Sequence, residues 1–248
     1  MITIKSKSEI ERMRVACKIT GDALKHIEKH IKPGITTAQL DKIAYDFIIS
    51  KGAKPNFLNY GGFPGSICAS VNDEVVHGIP SKKRVLKEGD IISIDMGAVI
   101  DGYNGDAART YPVGKISDEA ARLIEVTKQS FFEGIKHATH GAKLGDLSFA
   151  IQKCVEDNGY SVVRDLVGHG IGRKLHEDPS VPNFGRAGHG VKLAAGMTLA
   201  VEPMVNEGGY EVLSLEDDWT VVTADGSLAA HYENTILITK GECEILTL

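Results

Sequence analysis

Apolar and polar positions along this chain follow two periods, and the order of the periods occurs twice. Residues 8–31 and 117–138 carry apolar side chains at helical spacing, as do residues 36–52 and 145–158. In the second of these stretches Leu40, Ile43, Ala44, Phe47 and Ile48 form one face. In the fourth, Leu147, Ala150, Ile151, Cys154 and Val155 form the same face, 107 positions later. Ser8 and Glu11 have capping-box spacing and predict the start of the first helix; Pro33-Gly34 predicts its stop. Thr36 or Thr37 caps the second helix, which ends near Gly52. The glycine stops repeat at the same offset: Gly34 with Gly141, Gly52 with Gly159, and Gly89 with Gly196.

Between the helical stretches the pattern changes to strands and loops. The run Ile91–Ile100, the dipeptide Asp101-Gly102 and the run Tyr103–Tyr111 predict a two-residue hairpin. Residues 56–80 are glycine-rich with scattered aromatics and read as strands with functional loops, and residues 168–190 read as loop. Strands are expected near 197–205, 211–223 and, after a second Asp-Gly at Asp225-Gly226, near 229–239. The pattern predicts an α+β fold of two related halves, about 1–112 and 113–248, each built helix, helix, strands. Two copies are too few for a solenoid, so the halves are expected to pack as one domain over 1–248.

Composition narrows the class. A formal net charge of −5 argues against a general nucleic-acid binder. No apolar run reaches the roughly 20 residues needed to span a bilayer, and residues 1–18 lack the apolar core of a signal peptide. Cys17, Cys68, Cys154 and Cys243 form no C-x-x-C pair and read as reduced thiols of a cytoplasmic protein.

The candidate chemistry sits where apolar runs meet acids. Asp95 closes Ile91–Ile94, and Glu202 closes Met197–Val201 at the 107 offset. A carboxylate entering a buried strand is costly without a cation or several donors. The hairpin register opposes Gly97 to Asp106, which makes Asp95 and Asp106 diagonal neighbours roughly 7–8 Å apart. Glu233, following the second Asp-Gly, is the expected counterpart of Asp106. A neutral imidazole among such acids shifts preference from magnesium or calcium towards manganese, iron(II), cobalt or zinc. His169, between Gly168 and Gly170, is the best candidate, because flanking glycines allow the chain to bend. Five ligands, several able to bridge, suffice for two metals about 3.5–4 Å apart and a hydroxide nucleophile. His26, His30, His137 and His140 lie near helix ends and read as structural, and so do His189 and His231.

These residues stand in recognisable contexts: Ile94-Asp95-Met96-Gly97, Tyr103-Asn104-Gly105-Asp106, Gly168-His169-Gly170-Ile171-Gly172, Val201-Glu202-Pro203-Met204 and Tyr232-Glu233-Asn234-Thr235, with Val76-His77-Gly78-Ile79-Pro80 and His176-Glu177. As an ordered set they resemble methionine aminopeptidases of type I over nearly the whole chain. The resemblance implies the pseudo-two-fold "pita-bread" fold around a central antiparallel sheet. It also implies a cytoplasmic hydrolase that removes initiator methionine from nascent chains when the next residue is small.

Several roles follow from the resemblance. Asp106 and Glu233 would bridge two divalent metals (Mn, Fe(II), Co or Zn), Asp95 would bind one, and His169 with Glu202 the other. Glu202 would act as general base, His77 would contact substrate near the scissile nitrogen, and His176 would stabilise the oxyanion. Tyr60, Phe63, Cys68 and Trp219 would surround the methionine side chain. Leu175 stands where an aromatic is common in this family, and Phe63 where tyrosine is frequent. The implied partners are nascent polypeptide N-termini, with the ribosome as a further candidate, and the implied state is a monomer. Competing readings are an X-Pro aminopeptidase or dipeptidase on the same fold, and a non-catalytic nascent-chain or ribosome-binding module.

Overall fold

A computed structural model describes residues 1–248. The first helix, α1 (Lys7–Glu28), starts two residues earlier than the expected cap. Ser6 accepts from the Glu9 N–H and the Glu9 side chain returns to the Ser6 N–H. Ser6 and Glu9 have the same spacing as Ser8 and Glu11. The earlier register leaves Lys5 in extended chain, where its ammonium is buried against Glu177 at 2.7 Å. Helix α2 (Thr37–Ser50) is capped by Thr36 with Gln39 at the third position. The second half supplies α3 (Asp118–Ile135), capped by Ser117, and α4 (Leu144–Asp157).

In the first half α1 and α2 bury Leu24, Ile27, Leu40, Ala44 and Ile48 against Ile67, Ile92, Ile94 and Met96 of the sheet. In the second, Phe131, Leu144, Leu147 and Ile151 pack on Leu199, Val201 and Ile236. The glycine pairs of the repeat share backbone geometry: φ is 90° and 95° at Gly34 and Gly141, 75° and 82° at Gly52 and Gly159, and 93° at both Gly89 and Gly196. These left-handed values require glycine and stop the chain in the same way in each half.

The Ile91–Ile100 and Tyr103–Pro112 strands form the expected hairpin, with Ile100 opposite Tyr103 and Gly97 opposite Asp106. The second half builds the matching region from broken strands. Thr198–Val201 and Met204–Asn206 are interrupted at Glu202-Pro203, and Ala229–His231 and Asn234–Leu237 at Tyr232-Glu233. The Asp225-Gly226 turn is present, with φ of 74° at Gly226, but it joins strands of different sheets and makes no hairpin. The loop expected over 168–190 contains two paired strands, Gly168–Gly170 and Glu177–Val181.

The halves are joined at the centre. The Glu233 N–H donates to the Ala108 carbonyl at 2.9 Å, and Ala108 N–H returns to the Glu233 carbonyl at 3.3 Å. Two residues along, Thr235 Oγ1 donates to the Asp106 carbonyl at 2.9 Å and accepts from the Asp106 N–H at 3.1 Å. This junction carries Asp106 and Glu233 to the same place.

Candidate active site

Asp95 lies in the hairpin strand with Cys68 on one neighbouring strand and Ala108 on the other. Asp106, from the return strand, is 3% exposed, and Glu233, at the break in its strand, is 2% exposed. Glu202 reaches in from the other break, its carbonyl held by Asn183 Nδ2 at 2.9 Å. His169 Nε2 lies 3.8 Å from Asp106 Oδ2 and 3.5 Å from Glu202 Oε1. Ligand atoms of Asp106, His169 and Glu233 lie within 4.8 Å of one another. The structure thus brings Asp95, Asp106, His169, Glu202 and Glu233 to one centre from both halves.

Four carboxylates in so small a space repel one another, and burial penalises each charge. Burial pushes Asp95 up to about 8. Burial raises Asp106, and Asp95 and Glu202 raise it further. Glu202 and Glu233 are raised by burial and then by neighbouring acids. Asp95 Oδ1, Asp106 Oδ1 and Glu233 Oε1 are buried with no hydrogen-bond partner. Orphaned acceptors on clustered acids are the environment a divalent cation satisfies.

His169 fits the same purpose. Its Nδ1 lies 2.9 Å from the Gly170 carbonyl. Only a protonated Nδ1 can donate there, so the Nε2 lone pair faces the acids. Burial, and then His176, hold this imidazole down to about 4, so it is neutral near pH 7. The flanking glycines serve a different purpose from the expected bend. A Cβ on Gly168 would lie 2.4 Å from the Ala200 carbonyl oxygen, and one on Gly170 2.1 Å from that of Asp178. They permit close approach of three strands, with His169 in the middle one.

Above the acids opens a cavity of about 910 Å³, lined by Phe63, Cys68, His77, His176, Leu175 and Trp219 among others. Its volume suits a small side chain and part of a peptide. Phe63 meets Trp219 edge-on at 5.2 Å between centroids. Leu175 joins Phe63 and Cys68 in one apolar cluster. Burial raises the Cys68 thiol well above its usual range and keeps it neutral. His77 stands at φ 60°, a conformation unusual for a non-glycine residue and concentrated at functional sites. Burial, then His176, lower the basicity of His77, and burial lowers that of His176. Tyr60 lies at the mouth of the cavity, 43% exposed, with its hydroxyl 2.7 Å from His176 Nδ1. Its contact is therefore with a polar group as well as with the pocket.

Two residues outside the expected set belong to this region. Arg109 donates to the Glu233 carbonyl and, at 2.6 Å, to Asn234 Oδ1, and lies 4.2 Å over the Tyr232 ring. An arginine three residues after a strand acid was the available signal. His231, read as structural, stands behind the acids with Nε2 3.9 Å from both Glu202 Oε2 and Glu233 Oε2.

Residues 11–240 match the model of metallopeptidase family M24, and the chain belongs to this family. A relative from Clostridium acetobutylicum, called methionine aminopeptidase, is 61% identical over 248 residues, spanning 100% of this chain and 99% of its own. A Bacillus subtilis relative, called methionine aminopeptidase 1, is 53% identical over 247 residues, with the same coverage. The crystal structure of methionine aminopeptidase from Thermotoga maritima superposes with a TM-score of 0.98 at 50% identity, covering 100% of this chain and 99% of that one. The prolidase of Pyrococcus horikoshii superposes at 0.80 with 25% identity, and the match covers 99% of this chain but 63% of the prolidase.

Proposed function

We propose that this protein is a methionine aminopeptidase, hydrolysing the first peptide bond of polypeptides that begin with methionine followed by a small residue. The observation that carries the reading is the complete acid and imidazole set at the floor of a soft apolar cavity, in a chain 61% identical end to end to a relative of that name. Asp106 and Glu233, central and joined across the halves, would bridge two divalent cations. Asp95 would hold one, and His169 with Glu202 the other. Manganese, iron(II), cobalt and zinc all suit carboxylates with one imidazole. When bound, such cations supply Lewis acidity and lower the pKa of a water to near neutrality.

The protein's own groups do the remaining work. Cys68, Phe63 and Trp219 receive the methionine thioether, for which sulfur and aromatic edges are favourable neighbours. Glu202, facing His169 across 3.5 Å, accepts the proton of the attacking water. His77 contacts the substrate near the scissile nitrogen. His176, neutral through burial, donates from Nε2 to the carbonyl oxygen as negative charge develops there. We extend the proposal to a cytoplasmic monomer acting on nascent chains, with the ribosome as a docking partner. No helix is long and apolar enough to cross a membrane.

The test is methionine release from Met-Ala and Met-Leu peptides by chelated protein, with each metal added back. Metal-dependent release confined to Met-Ala is the expected result. Release of proline or of dipeptide products from X-Pro peptides assayed alongside, with no methionine release, would replace the proposal by the X-Pro reading. No hydrolysis with any metal would leave a binding module.

A further inference from the structure

His231 is 2% exposed, yet neither of its ring nitrogens has a hydrogen-bond partner. An unpaired buried polar group is costly, so a side chain left in that state needs a reason. Its backbone is fixed on both sides. The His231 N–H donates to Thr110 Oγ1 at 2.8 Å, and Thr110 Oγ1 donates to the His231 carbonyl at 3.0 Å. Ser93 Oγ lies 2.8 Å from the same hydroxyl. This chain of bonds leads from the first-half hairpin to the second-half strand and sets where the imidazole points.

It points at the acids. Nε2 is equidistant, at 3.9 Å, from Glu202 Oε2 and Glu233 Oε2. Glu202 therefore lies between two imidazoles, with His169 on Oε1 and His231 on Oε2. The two differ in tautomeric constraint. His169 Nδ1 is tied to a carbonyl, which frees Nε2 as a lone pair. His231 Nδ1 is tied to nothing, so its Nε2 is free to carry the proton. A protonated Nε2 between two carboxylate oxygens is a donor, and the gap exceeds an N–H···O hydrogen bond by only about 1 Å. His231 is also not among the residues that line the cavity.

We propose that His231 is a positioning residue whose Nε2–H orients the outer oxygens of Glu202 and Glu233, so that their remaining oxygens face the metal centre. The inference rests on the metal-site reading above. It explains why Nε2 is kept unpaired in the core: it serves the loaded site and not the empty fold.

The test separates affinity from stability. His231→Leu removes both nitrogens at similar volume. His231→Gln keeps an amide N–H near the Nε2 position, and His231→Asn places one too short to reach. Mn²⁺ affinity is measured by calorimetry, and Tm on the chelated proteins. H231L is expected to bind Mn²⁺ roughly 10–100-fold more weakly, with a chelated Tm at or above that of wild type. H231Q is expected to stay within about threefold of wild-type affinity, since it keeps the donor. Wild-type affinity in H231L, equal loss in H231Q, or a loss paralleled by a lower chelated Tm would each overturn the inference. If H231L does not fold, retention in H231Q with loss in H231N supports it, and equal behaviour overturns it. Wild-type protein that binds no Mn²⁺ would overturn the underlying metal-site reading as well.

Discussion

The Tyr60 hydroxyl lies 2.7 Å from Nδ1 of His176. Its turn is held by left-handed backbone on either side, with φ of 64° at Asn59 and 58° at Gly61. For His176 to donate to a substrate oxygen from Nε2, Nδ1 must accept, and a phenol can supply that proton. Tyr60→Phe is therefore expected to lower kcat about fivefold to tenfold, the worth of one hydrogen bond of about 1 kcal/mol, with KM nearly unchanged. Steady-state kinetics on Met-Ala peptides checks this, and ¹⁵N spectra of His176 should show the Nε2–H tautomer losing population. A raised KM at constant kcat would mean that Tyr60 acts only as pocket wall.

Asp106 and Glu233 are diagonal neighbours across the junction of the halves, each raised by burial and then by neighbouring acids. Asp106→Asn and Glu233→Gln remove a ligand and a repulsive charge together. Both are expected to cut activity by more than about a hundredfold, beyond the usual effect of a residue that only supports a ligand. The same changes should raise the Tm of chelated protein, because a buried acid is replaced by a neutral amide. Metal content by atomic emission and paired melting curves check the two effects. Full activity in either variant would refute the ligand assignment.

Without metal the protein should lose stability as pH rises from 6.5 to 8. Folded Asp95 keeps its proton up to about 8, whereas an unfolded aspartate releases it near 3.8. The folded state then binds more protons than the unfolded one, and stability falls with rising pH. His169, held to about 4, and His231, held to about 3, act in the opposite direction, because the unfolded chain takes up their protons first. That opposition is already halved at 6.5 and fades to little by pH 8, as unfolded histidine loses its remaining protons. Across the remaining interval one retained proton amounts to at most about 2 kcal/mol. Saturating Mn²⁺ should abolish or reverse the slope, since ligands bind as deprotonated groups. Melting curves at pH 6.5 and 8, in chelator and in Mn²⁺, check this; a Tm in chelator that is flat or rises would contradict it.

What was legible in the sequence was local or repeated. Asp101-Gly102 with its flanking alternation was enough for the register that opposes Gly97 to Asp106, because a two-residue turn leaves one pairing. The helix faces and glycine stops were legible because each appears twice. The start of α1 was not: Ser6 and Ser8 have equal capping chemistry, and the choice depends on Lys5 reaching Glu177, 172 positions away. The strands around His169 were hidden because Gly168 and Gly170 read as bend residues. Their absent side chains make room for neighbouring strands, which no local pattern records. The place of His231 follows from Thr110 and from the break at Tyr232-Glu233, both matters of tertiary pairing. Tyr60 was legible as an aromatic near the pocket but not as a partner of His176, 116 positions away.

Gly170 offers the sharpest test of how the backbone supports the site. Its carbonyl accepts from His169 Nδ1, and its Cα faces the Asp178 carbonyl so closely that a Cβ would lie 2.1 Å from that oxygen. Gly170→Ala must push the Glu177–Val181 strand away or rotate the carbonyl that holds His169. Overpacking of this kind costs about 1–3 kcal/mol, which for a chain of this size lowers Tm by roughly 2–12 °C. Because the carbonyl moves with the strand, Mn²⁺ affinity should fall as well. Gly226→Ala is the control. Its φ of 74° makes alanine strained, while nothing lies within 4 Å of the added Cβ. That variant should lose about 1–2 kcal/mol from backbone strain alone and keep wild-type Mn²⁺ affinity. If both variants lose stability equally and neither loses metal, the close approach at Gly170 serves packing only, and His169 is oriented by other contacts.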